Sequence, residues 1–220
     1  MRGHFWSFFA GGLMAAGLGA AAGAAPSASH AEFLAQPASP AAHAIADWVV
    51  GSGDNKGLPF VIVDKAAARV MVFQADGKLG GITPALLGQA RGDDSVPGIG
   101  QRKLSTILPK ERTTPAGRFI ASLGSDLGVK DVVWVDYDAA ISLHRVVTSN
   151  RKEHRLARLA SPTIADNRIS YGCINVPAKF FDAVVRPAFL HSSGIVYILP
   201  EVKPLAQVFP GYGRAASATQ

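Results

Sequence analysis

The chain has 220 residues, one cysteine, and a formal charge of +6 from 22 basic and 16 acidic residues. A single thiol excludes an internal disulfide framework, so the chemistry of Cys173 has to come from its surroundings. The basic balance suits an anionic polymer such as cell wall or lipid headgroups, and the absence of any helix-turn-helix, zinc-finger or RNA-binding signature leaves no reason to expect nucleic acid.

Arg2 is followed by an apolar run from Phe5 to about Ala25. One positive charge, an apolar stretch and a small-residue exit predict a signal peptide over residues 1–25, with cleavage as late as Ala31. The run is nearly long enough to be a retained anchor, but its alanine- and glycine-rich second half suits cleavage better. Export to the periplasm or cell envelope follows, with at most a peripheral attachment to membrane. Residues 26–56 read as a linker and short N-terminal segment, on the strength of Gln36-Pro37-Ala38-Ser39-Pro40-Ala41. One domain is expected over residues 57–201, and the Ala/Ser-rich part of the tail 202–220 is expected to fray.

Within that domain the apolar runs are short and closely punctuated. Leu58–Asp64 and Arg69–Phe73 precede Asp76-Gly77, a hairpin-turn signal. Further strands are expected over Arg118–Leu123, Val132–Tyr137, Ala140–Val147 and Gly194–Leu199, which makes the fold mainly β. Residues 91–112 read as a long loop, functional or mobile at that length. Two helices are expected: Arg151–Ala160, rich in arginine, and Val176 to about Leu190, with Pro177 in its first turn and Pro187 as a kink or stop.

Cys173 sits in Ser170-Tyr171-Gly172-Cys173-Ile174-Asn175. A cysteine attacks a carbonyl as thiolate, and near neutral pH an unperturbed thiol is only a few per cent ionised. Two features could raise that fraction: the positive end of the helix expected from Val176, and a histidine. His144 lies on a predicted strand whose alternation puts it on the same face as Ser142. The bland alternatives are a small core cysteine and a satisfied strand histidine. Paired metal-ligand spacings such as CxxC or HxxxH are absent, so no metal and no cofactor are expected. Asp93 and Asp94 could hold an ammonium group, although turn chemistry explains them more simply. The arginine-rich segment 151–158 could be a substrate flap or a solvated amphipathic helix.

His144 followed by Ser170-Tyr171-Gly172-Cys173-Ile174-Asn175 resembles the signature of the L,D-transpeptidase (YkuD-type) catalytic domain. Thr114-Pro115-Ala116-Gly117-Arg118-Phe119 is similar to the Thr-Pro-x-Gly-x-Phe turn of the same domains, and the likeness runs from about Leu58 to Leu199. It implies a β-sandwich-like fold with one or two short helices. It also implies a cysteine enzyme acting on peptidoglycan stem peptides, with Cys173 as nucleophile and His144 as general base. Backbone N–H groups of Tyr171, Gly172 and Cys173 would form the oxyanion hole, with Ser170 ordering the loop and Asn175 anchoring it. Arg155 and Arg168 are candidates for binding substrate carboxylates. Tyr171 stands where the family usually carries histidine, and the gap between His144 and Ser170 is longer than usual. An L,D-carboxypeptidase and an inactive wall-binding module are the alternatives; the order His144 before Cys173 argues against a papain-like protease. Oligomeric state is left open.

Overall fold

A computed structural model describes residues 30–33, 38–126 and 129–218; the expected leader over residues 1–25 lies outside them. Among the described residues ten strands follow in chain order: β1 (Phe60–Asp64), β2 (Arg69–Phe73), β3 (Leu79–Pro84), β4 (Leu87–Gly88), β5 (Gly117–Asp126), β6 (Val129–Asp136), β7 (Ile141–Arg145), β8 (Arg168–Ser170), β9 (Ile174–Val176) and β10 (Gly194–Ile198). Eight form one mixed sheet in the order β3-β2-β1-β10-β5-β6-β7-β9, and β4 pairs separately with β8. The fold is mainly β. The Asp76-Gly77 signal closes the β2–β3 hairpin, where Gly77 takes φ of 89°.

The long strand β5 makes the architecture sandwich-like. Its residues Gly117–Ala121 pair with β10, whereas Ser122–Asp126 pair with β6. The chain therefore passes from one half of the sheet to the other within a single strand. Val61, Val70 and Val196 from the first half meet Val133, Leu143 and Ile174 from the second in one buried cluster. β1 alternates between two cores, with Val61 and Val63 in that cluster and Phe60 and Ile62 in another on the opposite face.

The second core corrects the linker reading. Helix α1 (Pro40–Ser52) packs there through Ile45, Ala46 and Val49. Its start signal is present in the sequence: Ser39 caps the Ala42 N–H, and Pro40 occupies the first helical position. Phe209 and Tyr212 close the same core against Trp48, and Pro210–Ala218 is helical, so the tail is folded where fraying was expected. At 13 residues α1 also exceeds the short helices the resemblance implied. Among the described residues no helix is long and apolar enough to cross a membrane.

Ile174–Val176 is a strand, and the helix expected from Val176 begins after Pro177. It runs over residues 178–189 and is π-helical through Phe181–Val185. Pro187 has no N–H for the Ala183 carbonyl and would clash with it in a regular α-helix, and the wider turn just before it absorbs that conflict.

Candidate active site

Strands β7 and β9 run parallel, with Leu143 opposite Ile174 and His144 opposite Asn175. Continuing that register by one residue brings Cys173, at the entrance of β9, beside Ser142. Strand alternation then places Ser142 and His144 on one face, as the sequence suggested. The Ser142 hydroxyl lies 3.7 Å from the Cys173 sulfur, and Cys173 is partly exposed.

His144 is oriented by its own backbone neighbour. Its Nδ1 lies 2.7 Å from the Arg145 carbonyl, which can only accept, so Nδ1 carries the proton and Nε2 is the basic nitrogen. Burial alone would push the Cys173 thiol up; hydrogen bonding and attraction from His144, with the Ser142 N–H and hydroxyl, hold it below its ordinary 9.0. Burial likewise opposes a charged His144, but the Cys173 partner and the Arg145 carbonyl raise it above 6.5, against repulsion from Arg155. The two shifts have opposite signs and one cause. Each group favours the charged form of the other.

The helix-dipole alternative fails on distance. Helix 178–189 starts beyond the far end of β9, about 10 Å of strand from Cys173, and the dipole effect fades within a turn. Among the groups around it, His144 does most to lower the Cys173 thiol.

The loop before Cys173 is internally tied. The Ser170 hydroxyl donates to the Cys173 carbonyl at 2.6 Å and accepts the Gly172 N–H at 3.1 Å. That second bond removes Gly172 from the expected oxyanion donors and leaves Tyr171 and Cys173. Gly172 has φ of 135°, and a Cβ there would meet the Thr113 carbonyl at 2.8 Å, so only glycine fits. Asn175 is fully buried. Its amide donates to the Cys173 carbonyl at 3.3 Å and lies 3.4 Å from His144 Nε2, while its oxygen accepts from Arg155 at 2.7 Å. Tyr171 lies under Arg112, whose guanidinium carbon is 3.9 Å from the ring centroid.

A cavity of about 520 Å³ opens over this group. Cys173, His144, Asn175, Ser170 and Tyr171 line it, and Arg155 and Arg102 supply cations. Asp126 and the stacked Trp134 and Tyr137, with centroids 4.7 Å apart, complete the wall. Residues 151–160 form a 3-10 turn followed by helix α2 (Arg155–Ala160), and Arg155 reaches into the cavity from the start of α2.

Arg168 does not join this site. It pairs with Glu201 at 2.6 Å and donates to the Lys65 carbonyl at 2.9 Å, inside a buried network on the other side of the loop. Asp93 belongs to that network too, accepting from Lys65 and from the backbone of Glu201, Val202 and Lys203, and Asp94 pairs with Lys203. Neither aspartate lines the cavity, and their side chains bond to Lys65 and to residues 201–203 where turn chemistry was the simpler expectation. The contribution of Ser142 to the thiol has no motif of its own in the sequence, and its alternation with His144 is the signal that could have found it. Arg102, Asp126 and the Trp134–Tyr137 pair carry no local signal. Among the described residues no group of histidine, cysteine, aspartate and glutamate could hold a metal ion.

No family model and no curated protein matches the sequence. Solved structures similar to this chain include the helical cell shape determining protein Pgp2 from Campylobacter jejuni, at 14% identity and TM-score 0.45 over 66% of this chain and 49% of that one. An L,D-transpeptidase from Mycobacterium smegmatis aligns at 16% identity and TM-score 0.39, over 64% of this chain and 58% of that one. A Mycobacterium tuberculosis L,D-transpeptidase aligns at 15% identity and TM-score 0.40, over 64% and 57%. The chain thus spans roughly half the length of these solved chains.

Proposed function

We propose that this protein is an exported cysteine acyltransferase of the L,D-transpeptidase type, acting on peptidoglycan stem peptides in the cell envelope. The observation that supports it is the placing of Cys173 with His144 and Ser142 at a cavity whose wall carries arginine and aromatic side chains. The motif resemblance supplies the substrate class.

The Cys173 thiolate adds to the carbonyl carbon at the penultimate position of a tetrapeptide stem, and the carbonyl oxygen becomes an oxyanion. As the C–N bond breaks, the His144 imidazolium gives its proton to the leaving amine of D-alanine, which leaves a thioester and a neutral imidazole. An amine of a second stem then attacks the thioester. Its proton passes to His144, and Cys173 departs as thiolate. Arg155, held by Asn175 and paired with Glu153, offers the rest of its guanidinium to a stem carboxylate. Water in place of the amine makes the same site an L,D-carboxypeptidase.

Incubation with a D-alanine-terminated tetrapeptide stem, followed by intact-mass measurement and D-alanine assay, tests this. Wild type should release D-alanine and carry a transient thioester, and Cys173→Ala should do neither while keeping its fold. Stem peptide that binds but stays intact with wild type would leave a wall-binding module. Release of D-alanine by Cys173→Ala would remove the nucleophile assignment.

A further inference from the structure

The Thr-Pro turn leading into β5 hydrogen-bonds the loop before Cys173 through the Thr114 hydroxyl. Thr114 is fully buried, and its Oγ donates to the Gly172 carbonyl at 2.7 Å while accepting the Gly88 N–H at 2.9 Å. Its own carbonyl accepts from Lys65 Nζ at 2.9 Å, and Lys65 is fully buried against Asp93. Both polar ends of Thr114 are therefore fixed to the interior.

The consequence lies across one peptide plane. In a planar trans peptide the C=O and the N–H point in opposite directions. Thr114 draws the Gly172 C=O inward, which turns the Cys173 N–H toward the cavity side. The peptide two residues earlier is held the same way, since the Ser170 carbonyl accepts the Gln89 N–H at 2.9 Å. The Gly172 N–H between them is spent on the Ser170 hydroxyl. Alternate carbonyls are thus anchored inward, and the Tyr171 and Cys173 N–H groups face outward together.

We propose that Thr114 is a positioning residue for acyl transfer: its hydroxyl sets the Gly172–Cys173 peptide so that the Cys173 N–H meets the oxyanion formed on the attacked carbonyl. This rests on Cys173 acting as an acyl acceptor but not on the identity of the stem peptide. Thr114 touches neither sulfur nor substrate, and its effect is confined to reactions that build negative charge on oxygen.

Two small probes of the whole protein separate that effect from general disturbance. p-Nitrophenyl acetate acylates the thiolate through an oxyanion and expels p-nitrophenolate; iodoacetamide alkylates it at a saturated carbon, expels iodide and forms no oxyanion. Removing one oxyanion donor typically costs about 100- to 1,000-fold, so partial misalignment in Thr114→Val should slow acylation by about 10- to 100-fold. The rate and pH midpoint of alkylation should stay as in wild type. Thr114→Ser, which keeps the hydroxyl, should recover acylation to within about threefold. Thr114→Ala is the second hydroxyl-free variant should valine disturb folding, and it should match the valine result.

The proposal is overturned if alkylation falls in step with acylation, if acylation is unchanged without the hydroxyl, or if serine fails to recover it. It is equally overturned if wild type shows no acylation preference over alkylation beyond that of free cysteine. A wild-type protein that reacts with the ester as expected but leaves stem peptides intact would sink the functional reading and leave the Thr114 assignment standing.

Discussion

Two clusters of ionisable groups flank the Thr114 turn, and they differ in what they leave unused. On one side Lys65 donates to Asp93, to Thr114 and to the Gly92 carbonyl, while Glu201 receives Arg168 and the Gly92 N–H. Asp93 adds three backbone donors from residues 201–203. Each charge there is enclosed, and each carboxylate is satisfied by fixed partners. On the other side Cys173 and His144 line a cavity, each favouring the charged form of the other, and Cys173 is partly exposed. The first arrangement spends its bonding capacity inside the protein and braces a loop. The second leaves a thiol and an imidazole facing a cavity, and that contrast separates a brace from a candidate reaction centre better than charge or burial does.

The largest effect on this contrast should come from breaking the brace. Lys65→Met leaves Asp93 buried without its cation, while Glu201 keeps Arg168, and strips a donor from two carbonyls. Removing one partner of a buried ion pair typically costs about 3–5 kcal/mol. Denaturant unfolding should show a loss of that order. Iodoacetamide reactivity of the fraction that remains folded should stay near wild type, because the Cys173–His144 pair does not draw on Lys65. A loss below about 1 kcal/mol would mean that the network is dispensable, contrary to its enclosure.

How far each cluster is legible in the sequence follows from the range of its contacts. Cys173, Ser170, Gly172 and Asn175 lie within six residues, and the strand alternation that pairs Ser142 with His144 is equally local. Those residues are recognisable from their order along the chain. The brace joins positions 65, 93, 168 and 201, which no periodicity connects, so the sequence leaves Arg168 open to assignment as a substrate ligand and Asp93 as a turn residue only. Helix α1 is hidden by composition, since alanine and proline suggest a linker while Ile45 and Val49 carry helical spacing. β9 is hidden by brevity, its three residues running straight into a helix.

A smaller effect sharpens the comparison through pH. Burial would raise the Asp93 carboxyl, but Lys65 and the backbone N–H groups of Lys203 and Glu201 overcome it and bring it from 3.8 down to about 2. A depressed carboxylate stabilises the fold above its unfolded value and loses that contribution as pH falls through its folded value. Asp93 should therefore contribute about 2 kcal/mol at neutral pH, lost between about pH 4 and pH 2. Burial also pulls Lys65 down from 10.5, against attraction from Asp93 and Glu201. Urea unfolding of wild type and Asp93→Asn across this range checks it: the variant should lose most of the acid-dependent difference. Parallel curves would place the acid sensitivity elsewhere.

Tyr171 should give the smallest effect, and it tests the reaction centre from the side the family resemblance makes most conspicuous. The usual histidine is replaced here, yet His144 already has its Nδ1 fixed by the Arg145 carbonyl and is paired with Cys173. No proton has to pass through position 171. The tyrosine ring instead packs beneath Arg112, whose guanidinium also holds the Ile107 carbonyl and Gln89. That makes Tyr171 a support for the cavity rim, with a backbone N–H that any residue would supply. Tyr171→His should leave acylation within about tenfold of wild type, about 1.4 kcal/mol in barrier height. Single-turnover acylation by p-nitrophenyl acetate measures it, with the alkylation pH profile as control. A much larger loss with an unchanged alkylation profile would give the phenol a direct part in the reaction, because the thiolate pair would then be intact and only the acyl step impaired.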